Sequence, residues 1–122
     1  MSDTKKSAVE KFQSEREAYN EVLAKYANRS LKTFYGLDGK TYESGALNKK
    51  TKELLGFVAS FVLRCDDCIL YHLIECQKAG VNSEELSEAV AIGMLVGGSI
   101  TIPHARRAMK VWDEELAPEN DS

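Results

Sequence analysis

The chain predicts an all-α protein, a compact and largely antiparallel helical domain of about five to six helices. Three observations carry this expectation. Apolar residues recur at three- and four-residue steps in several separate stretches, the period of a helix with one buried face. Helix punctuation divides those stretches, with Gly80 and Asn82 ahead of one and Pro103 at the start of the last. No segment alternates apolar and polar residues convincingly enough to read as a strand.

Size and charge narrow the function. At 122 residues the chain makes one domain, residues 1–122, large enough for an ordinary core and small enough for oligomerisation to add stability. A net charge of −3 with no basic cluster leaves no electrostatic footprint for nucleic acid or an anionic membrane, and both are excluded as partners. No apolar run approaches the ~20 residues that span a bilayer. Met1 to Lys6 lead into an amphipathic stretch and do not read as a signal peptide. The three cysteines of such a chain point to a reducing cytoplasm, where a close cysteine pair serves redox chemistry or metal binding more often than a structural bridge.

The first element runs over about 4–27, where Val9, Phe12, Tyr19, Val22, Leu23 and Tyr26 form one apolar stripe. Its expected task is to pack on the core or on a neighbouring subunit. Asn28-Arg29-Ser30 ends it, Leu31 to Tyr35 suit a short helical turn, and residues 36–46 read as a loop because Gly36, Asp38-Gly39 and Gly45 lie among polar residues. Tyr35 and Tyr42 flank that loop.

The motif-bearing core, about 46–116, follows. A helix over about 48–63 presents Leu54, Leu55, Phe57, Val58, Phe61 and Val62 on a broad apolar face, with Glu53 beside it. A second helix carries the cysteine motif to Ala79 and stops at Gly80, a residue suited to the left-handed position that closes a helix. Asn82-Ser83-Glu84-Glu85 then caps a third, turned inward by Leu86, Val90, Met94 and Leu95. Its small residues, Ala89, Ala91, Gly93, Gly97 and Gly98, allow another backbone to approach, within the fold or across a subunit interface. Pro103 opens the last helix, whose inner side is Ala105, Ala108, Met109, Trp112 and Leu116. Residues 117–122 read as a disordered polar tail.

The chemistry gathers at Cys65-Asp66-Asp67-Cys68-Ile69-Leu70-Tyr71-His72. On a helix, steps of about 100° place Cys65, Cys68 and His72 in one narrow stripe, continued by Cys76. A Cys-x-x-Cys pair across a first helical turn closes a disulfide with little backbone movement, and the unpaired N–H groups there favour the thiolate. One turn on, His72 is placed to take the proton of Cys68, which makes Cys68 the candidate nucleophile. Cys65, nearer the helix start and expected to be the more open of the two, takes the resolving role. Asp66 and Asp67 act in both directions, favouring the helix N-terminus and opposing thiolate formation. Arg64 offers a nearby positive charge.

The pattern Glu53, Cys65-x-x-Cys68 and then His72 resembles the carboxymuconolactone decarboxylase superfamily, specifically its alkylhydroperoxidase D-like branch, over roughly residues 46–116. The resemblance implies that fold and a thiol-dependent peroxidase serving antioxidant defence. Cys68 would be the peroxidatic thiol, Cys65 its resolving partner, and Glu53 with His72 a proton relay. It further implies a peroxide substrate, an external dithiol or disulfide reductant, and a homo-oligomer, either a hexamer made of three dimers or a trimer. No metal or organic cofactor is required. The best-known peroxidases of the branch carry a second histidine directly before the second cysteine, where this chain has Asp67.

Other readings of the same residues stay open. A structural zinc site normally needs four protein ligands, and Cys76 and His104 are the only further cysteine and histidine. Cys76 by itself reads as a small buried apolar residue, and His104 as a surface or interface group. The decarboxylase side of the superfamily acts on a cyclic lactone acid without a Cys-x-x-Cys pair. A redox-linked binding protein with little turnover would use the disulfide to alter a partner surface.

Overall fold

The computed structural model describes residues 7–119. Among them are six α-helices and no strand, the all-α architecture that the apolar periodicity predicts. The chain divides into two compact units, Met1–Glu43 and Ser44–Ser122. Of the residues assigned above to a disordered tail, 117–119 are described and carry no helix; the rest lie outside the described residues.

The first unit holds α1 (Ala8–Tyr26) and α2 (Arg29–Thr41). Ser7 and Glu10 start α1 as a reciprocal capping box: the Ser7 hydroxyl accepts the Glu10 N–H at 3.1 Å, and the Ser7 N–H donates to the Glu10 carboxylate at 3.0 Å. The expected start at residue 4 falls outside the described residues. Neither helix buries a residue within the single chain, and Tyr19, Val22 and Tyr26 stay exposed. The loop expected over 36–46 is largely helix. Asn28 opens α2 by accepting the Leu31 N–H at 3.0 Å, and the helix runs through Gly36 and Gly39 to Thr41. Glycine inside a helix costs only about 0.5–1 kcal/mol, so composition alone does not break one that is capped and threaded by Leu31, Phe34, Tyr35 and Leu37.

The second unit carries the core. Its α3 (Lys49–Leu63) starts at Asn48, whose side chain accepts the Thr51 N–H at 2.8 Å. Phe57 and Phe61 are the fully buried members of the expected apolar face, whereas Leu55 is exposed. The α3 helix ends on Arg64, the one non-glycine residue with positive φ among those described, at φ 60° and ψ 39°. There the Arg64 N–H donates to the Phe61 carbonyl and the Cys65 N–H reaches back to Ser60 at 3.1 Å. This reversal lets Cys65 serve at once as the cap of the next helix.

That helix, α4 (Asp66–Lys78), packs along α3 and buries Ile69, His72, Leu73, Ile74 and Cys76. Gly80, with φ 90°, closes it as expected, while the Val81 N–H bonds the Cys76 carbonyl at 3.0 Å. The α5 helix (Ser83–Gly97) begins with a capping box between Asn82 and Glu85. Its inward stripe is Leu86, Ala89 and Gly93, and Leu95, expected inside, is 86 % exposed. Nine residues at about 100° each carry Leu95 round to the face opposite Leu86. The close approach foreseen at the small residues occurs within the fold, where the Phe61 ring lies over Gly93. A 3₁₀ turn at Ser99–Thr101 leads to α6 (Ile102–Val111), continued by a π-helical turn at Trp112–Leu116. Buried Trp112 ties this end to α5, its indole N–H donating to the Ser83 hydroxyl at 2.7 Å.

Candidate active site at the start of α4

Cys65 and Cys68 are joined as a disulfide across the first turn of α4, with their Cα atoms 5.3 Å apart. Cys65 is the N-cap residue, and its sulfur accepts the Cys68 N–H at 3.2 Å. A helix start that directs an N–H at this sulfur stabilises negative charge on it. The exposure of the pair is the reverse of the expected one, since Cys65 is half-buried and Cys68 exposed. As the cap, Cys65 sits in the reversal between α3 and α4, while Cys68 faces outward from the first turn.

Beneath the pair, one turn along α4, His72 is 9 % exposed and meets Glu53 of α3. Its Nδ1 lies 3.0 Å from Glu53 Oε1. An ionised carboxylate only accepts hydrogen bonds, so beside it Nδ1 carries the shared proton and donates it. Glu53 is 2 % exposed, and its second oxygen accepts from Lys49 Nζ at 3.2 Å. A carboxylate this deeply buried requires such partners. The structure therefore brings Glu53 to His72 and Cys65 to Cys68, the cysteines at the start of α4 and His72 one turn beyond Cys68.

Cys76 is fully buried and free. Burial, and after it the charges of Glu53 and Glu75, pushes its thiol up from 9.0 to about 12. It is held as a neutral thiol, in line with the apolar reading of its sequence position.

A match to the carboxymuconolactone decarboxylase family extends over residues 29–111 and takes in both pairs. The chain belongs to the carboxymuconolactone decarboxylase family. Among curated relatives it is 30 % identical over 81 residues to an uncharacterised protein of the cox locus of Paracoccus denitrificans, covering 66 % of this chain and 73 % of that one. An uncharacterised protein of Cupriavidus necator is 27 % identical over 84 residues, covering 69 % and 74 %. A crystal structure of a family protein from Thermotoga maritima, for which involvement in an antioxidative response has been suggested, superposes with a TM-score of 0.81 at 49 % identity. The match covers 85 % of this chain and 88 % of that one. A family protein from Legionella pneumophila shares the fold at 24 % identity, with a TM-score of 0.80 over 87 % and 95 % of the two chains.

In this member of the carboxymuconolactone decarboxylase family, α6 also reaches the cysteine helix. His104, expected at a surface or interface, is mostly shielded, and its Nδ1 lies 2.7 Å from Asp66 Oδ1. Arg107 Nη2 donates to the other Asp66 oxygen at 3.2 Å. These groups rim a cavity of about 210 Å³ walled by Ile69, Leu73 and Ala108. Arg64 and Asp67 are exposed. Sequence reasoning missed Lys49 and Arg107 as charged neighbours of the site. Lys49 had a signal, its four-residue spacing to Glu53 on one helix. Arg107 had none, because 41 positions separate it from Asp66. Among the described residues no group of three or more His, Cys, Asp and Glu side chains is arranged to hold a metal ion.

Proposed function

We propose that this protein is a thiol-dependent peroxidase of the alkylhydroperoxidase D-like kind, cycling its Cys65–Cys68 pair between dithiol and disulfide. The observation that carries the reading is the coincidence of two pairs on one helix: a bridged Cys-x-x-Cys capping α4, and a buried Glu53–His72 pair one turn further along it. The suggested antioxidative involvement of the Thermotoga maritima family protein agrees with it.

In the proposed cycle the Cys68 thiolate attacks one peroxide oxygen, the O–O bond breaks, and the leaving oxygen takes a proton to depart as water or an alcohol. His72 supplies and removes protons, held in its tautomer by Glu53. Cys68 is left as a sulfenic acid. The Cys65 thiolate then attacks the Cys68 sulfur and expels the oxygen as water, so two electrons have passed from the thiols to the peroxide. An external dithiol attacks the exposed Cys68 sulfur and releases Cys65 as a thiolate. The N–H directed at Cys65 stabilises that leaving group, and the dithiol ends as the disulfide. Cys65 is thus resolving thiol and leaving group through its capping position, not through greater exposure.

The reading places the protein in the cytoplasm as a homo-oligomer, a hexamer of three dimers or a trimer. Exposed Ile92, Leu95, Val96 and Ile100 support association. Sedimentation of a monomer across the micromolar range would refute that part.

Mass spectrometry of the reduced protein after one equivalent of hydrogen peroxide tests the chemistry, beside Cys65→Ser and Cys68→Ser. A rapid Cys65–Cys68 disulfide, with sulfenic acid trapped on Cys68 when Cys65 is absent, is expected. Thiols that remain untouched over many minutes would refute it.

A further inference from the structure

The first residue of α4, Asp66, stands with Asp67 between the two cysteines in sequence. An anion there opposes thiolate formation. Yet both of its oxygens are engaged from α6: Oδ1 by His104 Nδ1 at 2.7 Å and Oδ2 by Arg107 Nη2 at 3.2 Å. His104 Nδ1 must carry a proton to bond an ionised carboxylate, so the 3.2 Å approach of Arg107 Nη2 to the same nitrogen is two donors converging on one acid. Arg107 keeps its charge at every working pH.

We infer that Arg107 and His104 are positioning residues for the thiol pair: from α6 they fix and neutralise the Asp66 carboxylate, so that it does not suppress the thiolate at the start of α4. The other charges around the pair differ in kind. Asp67, on the same helix, and Arg64, at the end of α3, are exposed, as Asp66 is; what sets Asp66 apart is its two partners on α6. Glu53 is already held by His72 and Lys49 on the buried side. Asp66 is the carboxylate beside the cysteines whose effect is set by a different helix, which makes α6 a controller of cysteine acidity.

The inference rests on the redox reading of the pair, but its test does not use peroxide. The reduced protein is alkylated with iodoacetamide at a series of pH values, and modification of Cys65 and Cys68 is followed by mass spectrometry. Arg107→Gln is expected to slow alkylation near neutral pH about threefold to tenfold, the thiolate loss that follows when the thiol becomes less acidic by about half to one pH unit. Arg107→Lys, which retains the charge, should stay within about twofold of the parent. Asp66→Asn alone should change the rate less than about twofold, and Asp66→Asn with Arg107→Gln should return to near the parental rate. An Arg107→Gln protein that alkylates as fast as the parent overturns the inference. So does a double variant as slow as Arg107→Gln, because Arg107 would then act directly on the thiols. Failure of the peroxidase reading would show separately, as absence of peroxide-driven disulfide in a protein whose alkylation still follows this pattern.

Discussion

Glu53 Oε1 and His72 Nδ1 lie 3.0 Å apart inside the second unit, one from α3 and the other from α4, and Glu53 is 2 % exposed. Each is the buried polar partner of the other. Glu53→Ala leaves the imidazole without its acceptor and should lower unfolding free energy by about 1–3 kcal/mol, read from a denaturant midpoint at unchanged slope. Glu53→Gln keeps an oxygen acceptor at the site and should cost less stability. It should still slow peroxide-driven disulfide formation about a hundredfold, because the imidazole loses the charge that favours its protonated form.

The α3–α5 packing has no room at Gly93. A Cβ there would stand 2.5 Å from Phe61 Cδ2 and 3.0 Å from Cε2, against a ring that is fully buried. Gly93→Ala gains helix propensity but overpacks the core, for an expected net loss of about 1–2 kcal/mol. Thermal unfolding measures it, and Phe61→Leu in the same chain should recover part of the loss by making space.

Cys76 makes stability fall in alkali. Its folded thiol is pushed to about 12 from an ordinary 9.0. Its contribution is therefore complete below pH 9 and declines as pH rises towards 12, where the unfolded chain releases the proton first. The slope from this group is at most about 1.4 kcal/mol per pH unit. Cys76→Ala should remove that increment from the difference between denaturation curves at pH 8 and pH 10, and equal slopes in the two proteins would contradict the assignment. The parent Cys76 should also resist iodoacetamide in the folded state.

Glu85 acts in the opposite direction. Lys50 Nζ at 2.8 Å, and then the Asn82 N–H, hold its carboxyl below the ordinary 4.5. The stability it adds is present above pH 4.5 and is lost as pH falls through the lowered folded value. Glu85→Ala breaks the capping box and the α3–α5 tie together and should cost about 1 kcal/mol at pH 7. Titration into acid should bring its stability curve towards that of the parent.

The sequence by itself determined the helices of the second unit and the chemistry of the cysteine stretch. Asn48, Asn82 and Gly80 mark helix ends through bonds to residues three positions away, and Pro103 marks one through its fixed φ and missing N–H; such local features are legible in a string of letters. The three- and four-residue spacing of Cys65, Cys68 and His72 is equally local. Glu53 was legible through the resemblance alone, since on pattern a glutamate beside an apolar face reads as solvated. Only the tertiary structure decided that Glu53 is buried against a histidine 19 positions away, that Leu95 faces outward while Gly93 receives the Phe61 ring, and that Asp66 is held by His104 and Arg107. The α2 helix lies between these cases, because its glycines argue for a loop while its cap and apolar stripe argue for a helix. Helical period places a residue on a face of its own helix. Whether that face is buried, and which charge waits opposite, depends on a neighbouring helix whose position comes from packing the whole core.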